Sequence, residues 1–227
     1  MSIFSDKKDE LPDWTRKLRK LSDEGNPEAQ WHLACKYVFG VGGCPKDLSI
    51  AIELFQKSAM KGFAQSSYNL GCLAWDKTQE FFPNAKPNYS AAFLHFKQGS
   101  DIEFPPSMTN LGEFYLRGYG TVQSYQKAHE LLMKAARYSY DSNTALFLLG
   151  KIYLEGLGVK KNLIEAHKYF NLAAKIEKEY QSEAIELRSQ IEPQMELDDV
   201  LKAQNLALEY QFEALPEKFH LRLTADT

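Results

Sequence analysis

Histidine and cysteine are the side chains of this sequence that could bind a metal ion or act in nucleophilic catalysis, and two pairs of them recur at a similar distance. Cys35 and Cys72 are 37 residues apart, and His129 and His167 are 38 residues apart. The sequence lacks the H-E-x-x-H and C-x-x-C patterns that bring such residues together, and it has neither a P-loop nor a G-x-S-x-G motif. These residues therefore predict no catalytic residue, no metal site and no cofactor.

The recurring distance comes from a repeat that runs along most of the chain. A leucine followed by glycine or alanine marks each copy, and an alanine followed four positions later by Phe or Leu marks it again. The marker residues are Leu33, Leu70, Leu111 and Leu149, then Ala51, Ala92, Ala128 and Ala166. They lie 36 to 41 residues apart, which fits one helical hairpin per repeat. Because His129 and His167 directly follow the alanine marker, we expect both at a tolerated surface position.

Each repeat predicts two helices, A and B, joined by a tight turn. In the last repeat, Leu149, Ile152 and Tyr153 lie at positions i, i+3 and i+4 and share one face of helix A. The segment EGLGVKKN then supplies glycines that can adopt positive φ and reverse the chain. Asn162 is a suitable N-cap for helix B, with Glu165 three positions later.

Glycine recurs inside helix A, at Gly71, Gly112 and Gly150. An internal glycine costs a helix about 1 kcal/mol relative to alanine, so its recurrence predicts a packing role. We expect these glycines to let helix A approach helix B to about the 8–10 Å of close-packed helix pairs.

The combined pattern A-x-x-L-G-x-x-Y-x-x-G-x-G-V-x-K-(D/N), followed by A-x-x-(Y/L)-(F/L)-x-x-A-A, resembles the Sel-one-like repeat family, a relative of the tetratricopeptide repeats. The segments AQWHLACKYVFGVGGCPKDLSIAIELFQKSAMKG and LGKIYLEGLGVKKNLIEAHKYFNLAAK carry the clearest resemblance. It covers about residues 26–210. The resemblance implies an all-α fold, a right-handed superhelix (solenoid) of about four helical hairpins, and a scaffold or adaptor role for other proteins.

The repeats predict three parts of the chain. These are an N-terminal capping helix in residues 1–25, four repeats at about 26–62, 63–101, 102–139 and 140–175, and acidic capping helices with a tail in residues 176–227. The first cap is predicted from apolar residues at helical spacing, namely Leu11, Trp14, Leu18 and Leu21. Caps are expected because a terminal repeat would otherwise expose one apolar face.

At the C-terminal end we expect a polar helix over 176–191, a break at Pro193, and an amphipathic helix over about 198–213. The segment MELDDVLKAQNLALEY resembles the helix that follows the last repeat in many bacterial members of the family. Its predicted inner face consists of Val200, Ala203, Ala207 and Tyr210. The residues after Pro216 are predicted to form an extended or frayed tail.

Composition and charge narrow the class of protein. The chain has 227 residues, is 44% hydrophobic and 25% charged, and has a formal net charge of −3, so we expect a globular protein that does not bind nucleic acid. Residues 1–175 carry 22 basic and 18 acidic side chains, whereas residues 176–227 carry 5 and 12. The start MSIFSDKKDELPDW has no apolar signal sequence and no stretch fits a membrane helix, which predicts a cytoplasmic protein with reduced cysteines.

The resemblance to tetratricopeptide repeats also predicts which helix A positions are exposed in a concave groove. They lie two residues before the marker leucine and two and six residues after it. The predicted partner-binding residues are Trp31, Cys35, Phe39, Tyr68, Cys72, Asp76, Thr109, Glu113, Arg117, Phe147, Lys151 and Glu155. Aromatic residues and Arg often anchor protein interfaces. Alternatively, Trp31, Tyr68 and Phe147 fill the core between repeats.

The turn of the second repeat is longer and carries Phe81 and Phe82. This pair either folds back over the repeats or offers a loop anchor to a partner, because exposed apolar pairs are unfavourable unless they are used.

Two classes of function fit these features. The favoured one is a non-enzymatic interaction module, monomeric by itself, that binds a protein or peptide in the concave groove; one specific version neutralises a toxin or effector. The alternative is a binder or hydrolase of small molecules or cell-wall fragments of the β-lactam type. Family members linked to β-lactam binding are cysteine-rich, and this sequence lacks their paired cysteines.

Overall fold

The computed structural model describes residues 11–76, 80–81, 86–138 and 142–221, and these residues are almost entirely α-helical. Within them there are eleven α-helices, two 3-10 turns and one isolated bridge between Tyr138 and Glu213. The helices are α1 (Asp13–Asp23), α2 (Pro27–Phe39), α3 (Leu48–Met60), α4 (Ala64–Trp75), α5 (Tyr89–Asp101), α6 (Pro105–Arg117), α7 (Tyr125–Ala136), α8 (Asn143–Glu155), α9 (Leu163–Ala174), α10 (Gln181–Ile191) and α11 (Leu197–Leu208). The predicted all-α class is confirmed.

The chain forms two compact units. The first comprises residues up to 102 together with those from 217 onward, and the second comprises residues 103–216. In the first unit α2 packs on α3 and α4 on α5, and α1 lies against α2. In the second unit α6 packs on α7 and α8 on α9. Each unit therefore contains two helical hairpins of the predicted A–B type.

The helix A glycines lie where each hairpin is most tightly packed. A side chain on Gly71 would come within 2.5 Å of the ring of Phe96, and one on Gly112 within 2.8 Å of Leu132. A side chain on Gly150 would likewise overlap the ring of Phe170. Because these contacts join helix A to helix B of the same repeat, the predicted packing role of the glycines is confirmed.

One backbone hydrogen bond recurs in all four hairpins. The N-cap residue of helix B donates its backbone N–H to the carbonyl of the helix A residue four positions after the marker leucine. The pairs are Asp47 to Tyr37 (2.9 Å), Asn88 to Ala74 (2.8 Å), Ser124 to Tyr115 (2.9 Å) and Asn162 to Tyr153 (2.9 Å). The bond forms even in the second hairpin, whose turn is longer. It therefore fixes the start of helix B relative to helix A whatever the length of the turn.

The turn of the last hairpin forms as the sequence predicts. Gly156 and Gly158 have φ values of 74° and 69°, in the left-handed region that favours glycine. Asn162 caps α9 by accepting hydrogen bonds from the backbone N–H groups of Ile164 (3.0 Å) and Glu165 (3.2 Å). The carboxylate of Glu165 accepts a hydrogen bond from Lys168 instead of completing a capping box.

The two C-terminal helices are shorter than the sequence pattern predicted. α10 begins at Gln181 rather than Ile176, because the chain first turns and the Tyr180 N–H donates to the side chain of Asn143 (3.2 Å). α11 ends at Leu208, because the Glu213 N–H donates to the carbonyl of Arg137 (2.7 Å) and holds the following segment along the end of α7.

The prediction of an extended tail after Pro216 is wrong for the residues that the structure describes there. Residues Glu217–Phe219 form a 3-10 turn, and Phe219 is buried. The side-chain amide of Gln65 donates to the carbonyl of Phe219 (2.8 Å), and both residues belong to the first unit.

Candidate functional site

The predicted partner-binding residues of the first unit lie on α2 and α4, and Trp31 links these two helices. Its indole N–H donates to Oδ1 of Asn69 on α4 (2.8 Å). Its ring meets that of His32 edge-on, with centroids 4.8 Å apart, and lies 6.0 Å from the ring of Phe63. Trp31 is half-buried, so it both joins neighbouring repeats and presents part of its ring to solvent.

Phe39 is the most exposed of the predicted residues in the first unit, with 62% of its surface accessible. It shares one face of α2 with Trp31 and Cys35, since residues four and eight positions apart point in similar directions on a helix. Tyr68 and Cys72 on α4 are half-buried, and the Tyr68 ring lies 6.1 Å from that of Phe96. Four aromatic or thiol side chains are therefore partly accessible, and Phe39 is largely exposed.

Asp76 is buried rather than exposed, which corrects the sequence prediction. It ends α4 in the left-handed conformation (φ 36°), where the other hairpins have glycine, and donates its N–H to the carbonyl of Cys72 (2.7 Å). Its carboxylate accepts the backbone N–H of Phe81 (3.3 Å). Asp76 therefore organises the long turn instead of facing a partner.

Phe81 lies partly buried against the core of the first hairpin, and the ammonium group of Lys46 is 5.9 Å from the centre of its ring. This placement matches the alternative in which the aromatic pair folds back over the repeats. Phe82 lies outside the described residues.

In the second unit, two of the three predicted residues of α6 are buried, which corrects their predicted exposure. The Thr109 hydroxyl donates to the carbonyl of Pro105 within its own helix (3.1 Å). The Glu113 carboxylate is buried and accepts a hydrogen bond from Nε of Arg117 (2.8 Å). Arg117 itself is exposed and lies beside the ring of Tyr119. Only Arg117 of this set can contact a partner directly.

Phe147 is only 2% exposed, so it fills the core and does not face a groove. Its ring stacks on that of Tyr180, with centroids 4.5 Å apart and planes 9° from parallel. The ammonium of Lys151 lies 5.7 Å from the centre of the Phe147 ring, and Lys151 is half-buried. Glu155 is exposed. The alternative that aromatic residues fill the core therefore applies to Phe147.

The two histidines at equivalent repeat positions are not surface residues. His129 is half-buried, and its Nε2 lies 3.0 Å from the hydroxyl of Tyr153 on the next helix A. Burial lowers the pKa of His129 and raises the pKa of Tyr153. Burial thus favours the neutral imidazole, and the donor of its hydrogen bond with the Tyr153 hydroxyl is set by which ring nitrogen carries the proton.

His167 is completely buried and belongs to a polar network between α9 and α10. Its Nε2 lies 3.0 Å from the carboxylate of Glu192, and its Nδ1 lies 3.0 Å from the side-chain amide of Asn171. Arg188 donates to Oδ1 of the same asparagine (2.8 Å). Sequence analysis missed this network because Arg188 and Glu192 follow the last repeat and have no counterpart in the periodic pattern.

Burial disfavours the reactive thiolate form of two of the three cysteines. Cys35, Cys44 and Cys72 are all free, and burial raises the pKa of Cys35 to about 12. Cys44 is buried, and burial also raises its pKa. Among the residues that the structure describes, no group of three or more His, Cys, Asp or Glu side chains is arranged to hold a metal ion.

A cleft of about 430 Å³ in the second unit lies between the last repeat and the segment that follows it. Its lining includes Lys161, Leu163, Met195, Glu196 and Asp199. The cleft joins the first turn of α9 to the segment before α11.

Comparison with known proteins gives the family. The Sel1 repeat family matches residues 27–63, 105–137 and 144–176, which contain the hairpins α2–α3, α6–α7 and α8–α9. The chain is a Sel1-repeat protein. The hairpin α4–α5 lies outside the matched segments but has the same packed glycine and the same recurring hydrogen bond. Sel1 repeats serve as scaffolds for protein–protein interaction.

Solved structures similar to this Sel1-repeat protein show the same fold. A protective antigen of uropathogenic Escherichia coli strains, described as displaying an SLR fold, is 26% identical with a TM-score of 0.75. That match covers 86% of this chain and 40% of the other. A Sel1 repeat protein from Oxalobacter formigenes is 23% identical with a TM-score of 0.65 over 86% of this chain and 77% of the other.

A curated relative is cytochrome c oxidase assembly factor 7 of Xenopus tropicalis, which is 34% identical over 94 residues. The match covers 40% of this chain, and the chain spans only 39% of the relative. In the part of this Sel1-repeat protein that the structure describes, every helix is too short or too polar to span a bilayer.

Proposed function

We propose that this Sel1-repeat protein binds a protein or peptide through the accessible helix A residues of its first unit, without catalysing a reaction. The observation that supports this most directly is Phe39, a large apolar side chain that is 62% exposed about two helical turns after the half-buried Trp31. Large aromatic side chains dominate the binding energy of protein interfaces, and such a pair provides an anchor for a partner.

The environment of Trp31 supports a preformed binding surface. The hydrogen bond to Asn69 and the contacts with His32 and Phe63 hold the indole in one orientation before a partner arrives. A side chain that is already ordered loses less conformational entropy on binding, so more of the contact energy contributes to affinity.

The accessible helix A residues of the second unit are charged rather than aromatic. Arg117 and Glu155 are exposed, and Lys151 is half-buried.

The more specific proposal is that the protein neutralises a toxin or effector with a basic surface. Its basis is the acidic segment 176–227, which carries 12 acidic and 5 basic side chains. Charge complementarity of this kind accelerates association and selects partners.

The test is affinity capture from a native lysate with the wild-type protein and with the variants Trp31→Ala, Phe39→Ser and Arg117→Ala. We expect Phe39→Ser to lose the partner without loss of thermal stability, because its side chain is largely in solvent. Met60→Ser is the matched control, since Met60 is 77% exposed on α3 and lies outside the proposed surface. If all three variants retain the partner, the helix A surface is not the binding site. Stabilisation of the wild-type protein by a β-lactam in a thermal-shift assay would instead favour the small-molecule function.

A further inference from the structure

The last helix, α11, carries an apolar stripe on its outer face. Leu197, Leu201 and Leu208 are 72%, 47% and 72% exposed. At 100° per residue, these three side chains fall within a sector of about 40°. They therefore form one continuous strip along the helix, which we call the outer leucine stripe.

Another face of α11, about 120° around the helix from the stripe, already supplies its packing. Ala203 and Ala207 are buried there, and α11 lies against α9. The helix is thus held in place without the outer leucine stripe. The last helix of a repeat array normally presents a polar outer face, so three exposed leucines on it are unexpected unless a further molecule covers them.

Charge beside the stripe indicates what that molecule is. Asp198 and Glu209 are both exposed and lie on the same side of the stripe, near its two ends. Lys202, the one basic residue of α11, lies on the same side between them, so this side has a net charge of −1. The segment from residue 176 onward is acidic overall. A partner that covers the leucines therefore places its own flanking residues against negative charge.

We propose that the outer leucine stripe of α11 docks a basic amphipathic helix from a protein partner. Apolar residues of that helix, spaced three and four apart, cover Leu197, Leu201 and Leu208. Its lysines and arginines lie against Asp198 and Glu209. Helices that bind other helices through one apolar face use this arrangement of anchors.

A second copy of the chain fits the stripe less well. An antiparallel pairing of two α11 helices brings Asp198 of one copy toward Glu209 of the other, so like charges meet. A parallel pairing places the acids of the two copies on opposite sides of the stripe, where they face Val200 and Gln204 rather than a basic residue. An anionic membrane is disfavoured for the same electrostatic reason, because its surface repels acidic side chains.

The outer leucine stripe is a second binding surface, separate from the one in the proposed function. The two proposals share only the assumption that the protein has a protein partner. The helix A residues of the proposed function lie on α2, α4, α6 and α8, whereas the stripe lies on α11. A variant of one surface therefore leaves the other intact.

The experiment measures fluorescence anisotropy of a labelled synthetic helix of about 18 residues, or five turns. Its leucines lie on one face and lysines flank them; a control peptide has glutamate in place of each lysine. We expect the lysine peptide to bind the wild-type protein, and the triple variant Leu197→Gln/Leu201→Gln/Leu208→Gln to bind it at least about tenfold more weakly. Asp198→Asn/Glu209→Gln should weaken binding and reduce its dependence on salt.

Leu94→Gln is the matched control, because Leu94 is 64% exposed on α5 and should not affect peptide affinity. Equal binding of the peptide to the triple variant, or equal binding of the glutamate peptide to the wild-type protein, would overturn the proposal. The proposal would also be overturned if the wild-type protein formed dimers, or adsorbed to phosphatidylserine vesicles, and the triple variant did not. Phe39→Ser should leave peptide binding unchanged, so failure of this proposal and failure of the helix A surface give different results.

Discussion

The ring of Phe170 on α9 lies directly over the α-carbon of Gly150 on α8. The same relationship holds between Phe96 and Gly71 in the second hairpin, while Leu132 covers Gly112 in the third. An aromatic ring on helix B thus occupies the space that a helix A side chain would need. The contact explains why the chain keeps a residue that is unfavourable in a helix.

Gly150→Ala should destabilise the protein by up to about 2 kcal/mol. The gain in helix propensity of about 1 kcal/mol is smaller than the cost of about 1–3 kcal/mol for forcing a methyl group into a packed core. Urea denaturation followed by circular dichroism measures the difference. The overlap with the Phe170 ring causes the loss, so the double variant Gly150→Ala/Phe170→Ala should lose less stability than the sum of the losses of the two single variants. An increase in stability of the single variant would contradict this account of the packing.

Stability should fall on acidification, in part because of His129. Its pKa in the folded protein lies below the ordinary value of 6.5, because burial disfavours the charged imidazole. As the pH falls below about 6.5, the His129 imidazole is protonated in the unfolded chain before it is protonated in the folded protein. The free energy of unfolding therefore decreases until the pH has passed the pKa of His129 in the folded protein. The unfolding midpoint in urea, measured between about pH 5 and 8, should depend less on pH in His129→Gln than in the wild-type protein. Burial also lowers the pKa of His95. The pH dependence of stability should therefore be weaker still in the double variant His95→Gln/His129→Gln. Identical pH profiles of all three proteins would exclude this role.

Asn143 should be among the most sensitive polar residues of the second unit. Its buried side-chain amide donates to the carbonyl of Ala173 (2.9 Å), and its Oδ1 accepts the backbone N–H of Tyr180 (3.2 Å). Asn143→Ala removes these bonds and should lower the free energy of unfolding by about 1–3 kcal/mol. Asn205→Ala, an exposed asparagine on α11, is the control and should change stability by less than about 0.5 kcal/mol. Equal effects of the two substitutions would show that the Asn143 bonds do not stabilise the fold.

Cys35 should react slowly with iodoacetamide in the folded protein. With a pKa of about 12, roughly one thiol in ten thousand is ionised at pH 8, compared with roughly one in ten at the ordinary pKa of 9.0. Peptide mass spectrometry after timed alkylation measures the rate at each cysteine. In urea, where burial is lost, Cys35 should react at the same rate as the other two. Rapid alkylation of Cys35 without denaturant would mean that its environment opens to solvent.

The repeat pattern predicted the hairpins well because it reflects contacts within each hairpin. Gly71, Gly112 and Gly150 lie at the predicted helix contacts, and Asn162 caps α9 as expected. These features depend on residues within about 20 positions of one another, which a sequence repeat records directly.

The exposure of the candidate site was harder to predict because burial depends on residues outside the repeat. Phe147 has the same repeat position as Trp31, yet Tyr180, which follows the last repeat, covers it. Asp76 ends α4 instead of lying within it, because α4 stops one residue earlier than the other A helices, and its carboxylate accepts the Phe81 N–H. The tetratricopeptide register predicted the direction of these side chains on the helix. It did not predict which residues from other segments cover them.

Three helices, α8, α10 and α11, pack around α9, whereas the main contact of α1 is with α2 alone. Opening α9 to water requires its neighbours on several sides to separate together, while α1 can detach by breaking one contact. Backbone amides of α9 should therefore be among the last in the second unit to exchange with deuterium, and those of α1 among the first in its own unit. Resistance to proteases should follow the same order along the chain.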